Sequence, residues 1–226
     1  ELERSWHGEM ELLRAELSAL NKELFSDTLG VERANRFVGE RLDSAAACLD
    51  NLHQLCRHGH FALDVHLATV REMLSSIGEA QSAWNTVQLL QRDGINAIFV
   101  DLTGWQSEEH MSLDSRIRKA FQNLDCSSTL PIVTGYAHTQ EGLMSNFDRG
   151  YTEMTFSRIA VLTGASEAII HKEFHLSSAD PALVGEANAV PIGRTNYDVA
   201  DQLANLGMEA IHPRAAKGLR QNDIPL

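Results

Sequence analysis

Cysteine is scarce in this 226-residue sequence: Cys48, Cys56 and Cys126 are the only three. An odd number suggests no disulfide framework and fits small buried thiols in a reducing cytosol. Long apolar runs are also missing. No stretch approaches the roughly 20 residues of a membrane span, and no signal-peptide pattern opens the chain. Positive charge is in short supply, with 19 Lys and Arg against 31 Asp and Glu and a net charge of −12. That balance argues against nucleic acid and anionic membrane surfaces as partners, and it is the sign expected of a salt-stressed cytoplasm. Internal repeats and low-complexity segments are absent as well.

What is present reads as globular, because 43% of residues are apolar and 22% charged. The length accommodates one large domain or two small ones. Leu2, Trp6, Met10, Leu13, Leu17, Leu20 and Leu24 recur at steps of three and four, which predicts an amphipathic helix. Ser26-Asp-Thr-Leu-Gly30 breaks it. A second helix carries Val31, Ala34, Val38, Leu42, Ala45, Leu49, Leu52 and Cys56, and the two are expected to pack as a hairpin. Cys56-Arg-His-Gly-His60, with His53 and His66 nearby, invites a metal reading. Its spacing matches no closed zinc site and a second cysteine ligand is lacking, so a turn at Gly59 is expected and no metal site is assigned. A third helix follows, with Leu63, Leu67, Val70 and Leu74 as its stripe.

Ser75-Ser-Ile-Gly-Glu-Ala-Gln-Ser82 interrupts the helical period, and helix resumes through Ala83, Trp84, Val87 and Leu90 to Asp93-Gly94. This places Glu79 at a helix start, beside a glycine that lets a ligand come close. Ile95–Asp101 reads as a strand, Ser112–Leu124 as a weaker helix, and Leu130-Pro-Ile-Val-Thr-Gly-Tyr-Ala137 as a buried strand. Then comes Asn146-Phe-Asp-Arg-Gly-Tyr-Thr-Glu-Met-Thr155. Met154, Phe156, Ile159, Ala160 and Leu162 give it a helical continuation to a glycine cap at Gly164. Arg149-Gly150 therefore sits where a helix begins, and its first N–H groups and dipole suit a phosphate or carboxylate. Arg149 adds a planar cation, Thr152 a hydroxyl and Glu153 a carboxylate. An ordinary helix start with surface charges fits the same local pattern. Glu167–His171 reads as a short buried strand, followed by a polar segment that ends at Asp180-Pro181. Thr195-x-x-Asp198 reads as a capping box for a helix through Val199, Leu203 and Leu206 to Gly207. The alternation predicts an α/β fold, a three-layer α/β/α sandwich with a mainly parallel sheet and ligands beyond the strands' carboxyl ends.

Several pieces together resemble the amino-acid kinase family, and within it aspartate kinases. Gly78-Glu-Ala-Gln-Ser82 matches that group's Gly-Glu-x-x-Ser element. Val133-Thr134-Gly135 matches its strand end, Arg149–Thr155 its glycine-rich Arg-Gly segment, and Lys172-Glu-Phe with Asp180-Pro181 its Thr-Asp-Val and Asp-Pro pieces. Leu206-Gly-Met-Glu-Ala-Ile-His-Pro213 matches its Phe-Gly-Ala-Lys-x-x-His-Pro run. This likeness runs from about Leu63 to the end. The wording of His171–Pro181 and of Gly193–Ala200, with the N-terminal helices, looks like the specialised aspartate kinases of ectoine biosynthesis and extends it over nearly the whole chain.

The resemblance implies an ATP- and Mg²⁺-dependent phosphorylation of the L-aspartate β-carboxylate to 4-phospho-L-aspartate in a cytoplasmic homodimer or higher homo-oligomer. It implies that Glu79 holds the substrate ammonium and that Arg149 grips a carboxylate. Gly150 and Thr152 belong to the same substrate segment. Catalytic roles fall to Arg149 and Glu153, and nucleotide contacts to Lys172, Glu173, Ser178 and Glu209. The sequence departs from the family in Tyr151 for a glycine, Glu153 for an aspartate and Glu209 for a lysine. No Gly-Gly occurs, so the family's opening Lys-x-Gly-Gly-x-Ser loop is not found. Residues 1–226 are thus expected to be a catalytic domain incomplete at both ends, without the loop or the C-terminal regulatory (ACT) pair, and inactive as written. Residues 1–60 form its helical part. A glutamate or acetylglutamate kinase, or a non-catalytic amino-acid-binding relative, fits the same fold.

Overall fold

The two N-terminal stripes fold as helices α1 (Leu2–Leu24) and α2 (Thr28–Cys56). The structure is a computed structural model that describes residues 2–60, 64–140, 142, 150–171, 176–179, 181–205 and 211–226. Asp27 starts α2 by accepting the Gly30 N–H at 2.7 Å, which satisfies a donor that the helix itself leaves orphaned. Met10, Val38, Leu42, Ala45 and Ile77 form a core, flanked by Trp6, Leu13, Leu17 and Leu74. The hairpin expectation therefore holds, with the third helix as its floor. The stripe is trimmed at its end: Leu20 and Leu24 are exposed, while Asn21 is fully buried.

That third helix, α3 (Asp64–Arg92), is unbroken. The interruption expected over Ser75–Ser82 does not occur, and Glu79 lies inside the helix, not at its start. The small and polar residues are what close packing needs there. Ser76 donates its hydroxyl to the Met73 carbonyl at 2.7 Å, a bond made within the helix. Gln81 and Asn85 are buried and reach across to α1. Gln81 Nε2 donates to Asn21 Oδ1 at 2.7 Å and to the Leu17 carbonyl at 3.0 Å, and Asn85 Nδ2 donates to Asn21 Oδ1 at 2.8 Å. Asn21 in turn donates to Asn35 of α2 at 2.9 Å. One amide thus links three helices, and its neighbours are held to a single register.

Strands β1 (Ala97–Val100) and β2 (Leu130–Val133) pair in parallel, from Ala97 opposite Leu130 to Val100 opposite Val133. The parallel sense is as expected, and among the described residues the sheet has these two strands. α3 packs on both. β2 is shorter than the Leu130–Ala137 run predicted. Thr134 still gives its N–H to the Val100 carbonyl at 3.2 Å, and the buried Tyr136 and Ala137 lie in the turn beyond the ladder. Asn96 fastens the strand entry by donating to the Ser128 carbonyl and Thr129 hydroxyl at 2.8 and 3.0 Å.

The chain divides into two compact units, residues 1–109 with 123–138, and residues 110–122 with 139–226. The second unit contains α4 (Leu113–Phe121), α5 (Tyr151–Thr163), the single turn α6 (Pro181–Val184), a 3₁₀ turn at Glu186–Asn188, α7 (Tyr197–Asn205) and α8 (Pro213–Gln221). Its core gathers Ala160, Ala168, Ile211, Ala215, Leu219 and Ile224. Small residues on both α5 and α8 let these helices pack closely. Arg158 of α5 grips Asp114 of α4 with two bonds of 2.8 and 2.6 Å. Those bonds hold its guanidinium above its ordinary pKa.

Two local expectations fail here. Glu167–His171 forms no strand. Ala168 turns inward and its N–H goes to the Pro225 carbonyl at 2.8 Å, while Ile169 points out, 61% exposed. The cap of α7 is Asn196 and not Thr195, since Asn196 Oδ1 takes the Val199 N–H at 3.0 Å. Asp198, read as the box's acid, pairs with Arg220. The Leu206-Gly207 end expected for this helix, and Leu63 of the third stripe, lie outside the described residues. No helix among the described residues is long and apolar enough to cross a membrane.

Candidate functional site

In the first unit the carboxyl ends of β1 and β2 lead into two turns that are stitched together. Thr134, buried, accepts the Leu102 N–H at 3.0 Å and donates to the Tyr136 carbonyl at 2.9 Å. The His138 N–H bonds the Leu102 carbonyl at 2.8 Å. On the β1 side, Asp101 accepts the Thr103 N–H at 2.8 Å and pairs with Arg41 of α2. The Arg41 guanidinium lies 4.0 Å from the Phe37 ring centre and 5.1 Å from that of Trp105. Burial pulls its pKa down, and Asp101 opposes that shift.

Glu79 stands over the β2 turn. Its Oε2 accepts the Tyr136 backbone N–H at 2.5 Å. Tyr136, 2% exposed, donates its hydroxyl to Glu72 Oε2 at 2.6 Å. Two carboxylates on one face of α3 are thus brought to the end of a parallel strand, the place where such sheets receive ligands. A helix-interior glutamate serves this as well as the helix-start residue the spacing suggested.

In the second unit the segment Gly150–Glu153 opens α5 as expected. Gly150 is the N-cap residue at φ 81° and provides no side-chain cap. The left-handed backbone favours glycine, and so does the space: a Cβ there would lie 2.7 Å from His212 Cδ2. Thr152 is exposed on the first turn. Glu153 accepts the His212 N–H with its Oε2. His212 is itself the N-cap of α8, accepting the Arg214 N–H on Nδ1 at 3.2 Å. The starts of α5 and α8 therefore meet around Gly150, Glu153 and His212. Ser178 stands in a short antiparallel pairing with Val190 and Pro191. Its N–H donates to the Val190 carbonyl at 2.8 Å and its Oγ accepts the Val190 N–H at 3.1 Å.

Arg149, Lys172, Glu173 and Glu209 lie outside the described residues, as do the Asn146–Asp148 stretch and Asp180. Tyr136, Glu72 and His212 were not singled out as site residues by the sequence. Only the glutamates' two-turn spacing on α3 and the His212-Pro213 pair stood as signals. Among the described residues no three His, Cys, Asp or Glu side chains converge as a cation cage.

A family model described as the amino acid kinase family matches residues 21–226. The chain is 55% identical over 224 residues, 99% of its length, to the aspartate kinase Ask_Ect of Stutzerimonas stutzeri, covering 47% of that protein. It is 30% identical over 168 residues to an aspartokinase of Geobacillus stearothermophilus, covering 69% of this chain and 39% of the other. Among solved structures it resembles E. coli aspartokinase III in complex with aspartate and ADP, with a TM-score of 0.65 at 17% identity over 96% of this chain and 47% of that one. The chain spans about half the length, or less, of the curated relatives named here.

Proposed function

The chain belongs to the amino acid kinase family, and from that premise we propose that the protein carrying it is an ectoine-type aspartate kinase. It transfers the γ-phosphoryl group of ATP to the L-aspartate β-carboxylate, giving 4-phospho-L-aspartate and ADP. The observation that carries this reading is Glu79, whose carboxylate is fastened to the turn directly after Val133-Thr134-Gly135 at the sheet's carboxyl end. A fixed anion there suits the ammonium of a free amino acid and does nothing for an acylated one. The 55% identity to an aspartate kinase supports the same choice.

Phosphoryl transfer of this kind is mostly positioning and charge neutralisation. Glu79 holds the ammonium and Arg149 grips a carboxylate. Thr152 and the first N–H groups of α5 orient the acceptor, since a helix start favours anionic oxygens. Glu153 acts by fixing the α5 start to His212. On the nucleotide side, Lys172 brings positive charge to the phosphates, and Glu173, Ser178 and Glu209 complete the contacts. Mg²⁺ would enter with the nucleotide and offset phosphate charge. Among the described residues no three His, Cys, Asp or Glu side chains converge as a cage for it. Residues 1–226 act as the catalytic domain of a cytoplasmic homodimer or higher homo-oligomer, a state that light scattering on the full-length protein reads directly.

The test is a hydroxylamine trap. Full-length protein with ATP, Mg²⁺ and L-aspartate is expected to form aspartyl hydroxamate well above blank. Formation no faster than blank, in protein shown to be folded, defeats the assignment.

A further inference from the structure

Glu79 is a long side chain, and a substrate-binding carboxylate that wanders must be ordered at the moment of binding, which weakens affinity. In this structure the ordering is built in, and Tyr136 supplies it. Its backbone N–H is on Glu79 Oε2, its carbonyl takes the Thr134 hydroxyl, and its own hydroxyl is on Glu72 Oε2. The residue is therefore held at three points. Two of them are glutamates on the same face of α3, two turns apart. A phenylalanine would fill the same buried volume and keep the N–H, but it would release Glu72.

We propose that Tyr136 is a positioning residue for recognition of the substrate ammonium, and that its hydroxyl bond to Glu72 locks the turn that presents Glu79. This rests on the reading of Glu79 given above. The ammonium is not itself a reacting group when the β-carboxylate takes the phosphoryl group. Loosening Glu79 therefore weakens ground state and transition state alike, and the effect falls on KM and not on kcat. A hydroxyl that mattered only for folding would lower the melting temperature and the active fraction, and leave KM unchanged.

Steady-state kinetics on the full-length protein separates these roles. Tyr136→Phe is expected to raise KM for aspartate about three- to tenfold, with kcat and KM for ATP within roughly twofold, less than outright loss of a charge-assisted hydrogen bond because Tyr136 acts through Glu79. Glu72→Ala should reproduce that pattern, Glu72→Gln, which keeps an acceptor, should restore it to near the parent value, and the double variant Tyr136→Phe/Glu72→Ala should be no worse than either single change. Should Tyr136→Phe fold poorly, the Glu72 pair carries the test alone. The proposal is overturned if aspartate KM is unchanged in Tyr136→Phe and Glu72→Ala while Glu79→Gln raises it, or if KM for ATP rises by the same factor. If Glu79→Gln leaves aspartate KM unchanged, the reading of Glu79 falls first and this inference with it.

Discussion

Glu79 and Arg149 are the two charges the proposed chemistry leans on. Free aspartate at neutral pH presents an ammonium and two carboxylates, so a site for it needs at least one anion and one cation. Glu79→Gln keeps the size of the side chain and an acceptor for the Tyr136 N–H, and removes only the charge. Arg149→Ala removes a planar fork that lysine would not replace. Removing one partner of a desolvated charge pair costs about 2–5 kcal/mol. Each variant is therefore expected to lose at least about tenfold in kcat/KM for aspartate, with ATP binding changed much less. Residues that only balance charge on a helix would give a lower melting temperature and unaltered aspartate kinetics, and that result in both variants would dismiss the pair. Glu79 stood out in the sequence through the likeness of Gly78-Glu-x-x-Ser82 to a family element, while its place inside α3 did not. Nor did its partners. The Tyr136–Glu72 and Glu153–His212 bonds join residues 64 and 59 positions apart, and no local spacing encodes them.

Among the elements, α5 exposes the physical difference between two glycines. Gly150 and Gly164 flank it, both with left-handed φ, 81° and 66°. At Gly164 an added methyl meets open space, so Gly164→Ala costs only the backbone conformation, about 1 kcal/mol. At Gly150 the same methyl would press on His212 at 2.7 Å and push the α8 start away from Glu153. Gly150→Ala is expected to cost distinctly more, about 2–4 kcal/mol, by urea denaturation. Equal losses at the two sites would mean that the α5–α8 junction yields freely. The α5 start and its glycine cap were legible in advance, as were α1 and α2, because their signals are local: a period of three to four, and glycine where the chain must turn left. Ser75–Ser82 reads as an interruption because its small and polar residues break the apolar period, whereas Ser76 and Gln81 are buried and Gln81 bonds across to α1. Glu167–His171 carries an apolar run that reads as a strand, but Ala168 gives its N–H to Pro225 at the far end of the chain and packs into the second unit's core, long-range contacts that no local pattern encodes.

At the scale of the whole molecule the path of the chain matters more than any single contact. It leaves the first unit at residue 109, returns at 123 and leaves again at 138. Neither unit is a continuous piece. A fragment of residues 1–109 holds β1 without β2, and a lone strand is not stable in water. Residues 1–138 hold both strands and the turn that meets Glu79. The longer fragment is expected to melt cooperatively by circular dichroism while the shorter one melts broadly or aggregates. Two equally sharp transitions would mean that the three helices fold without the sheet. The crossing path has a further cost in the cell. β2 follows β1 by 33 residues, Ala97 to Leu130. At roughly 5–20 residues per second, a ribosome takes about 2–7 seconds to make that interval. Through that time the edge of β1 stands open beside finished helices, long enough for another nascent chain or a chaperone to reach it before its own partner is made.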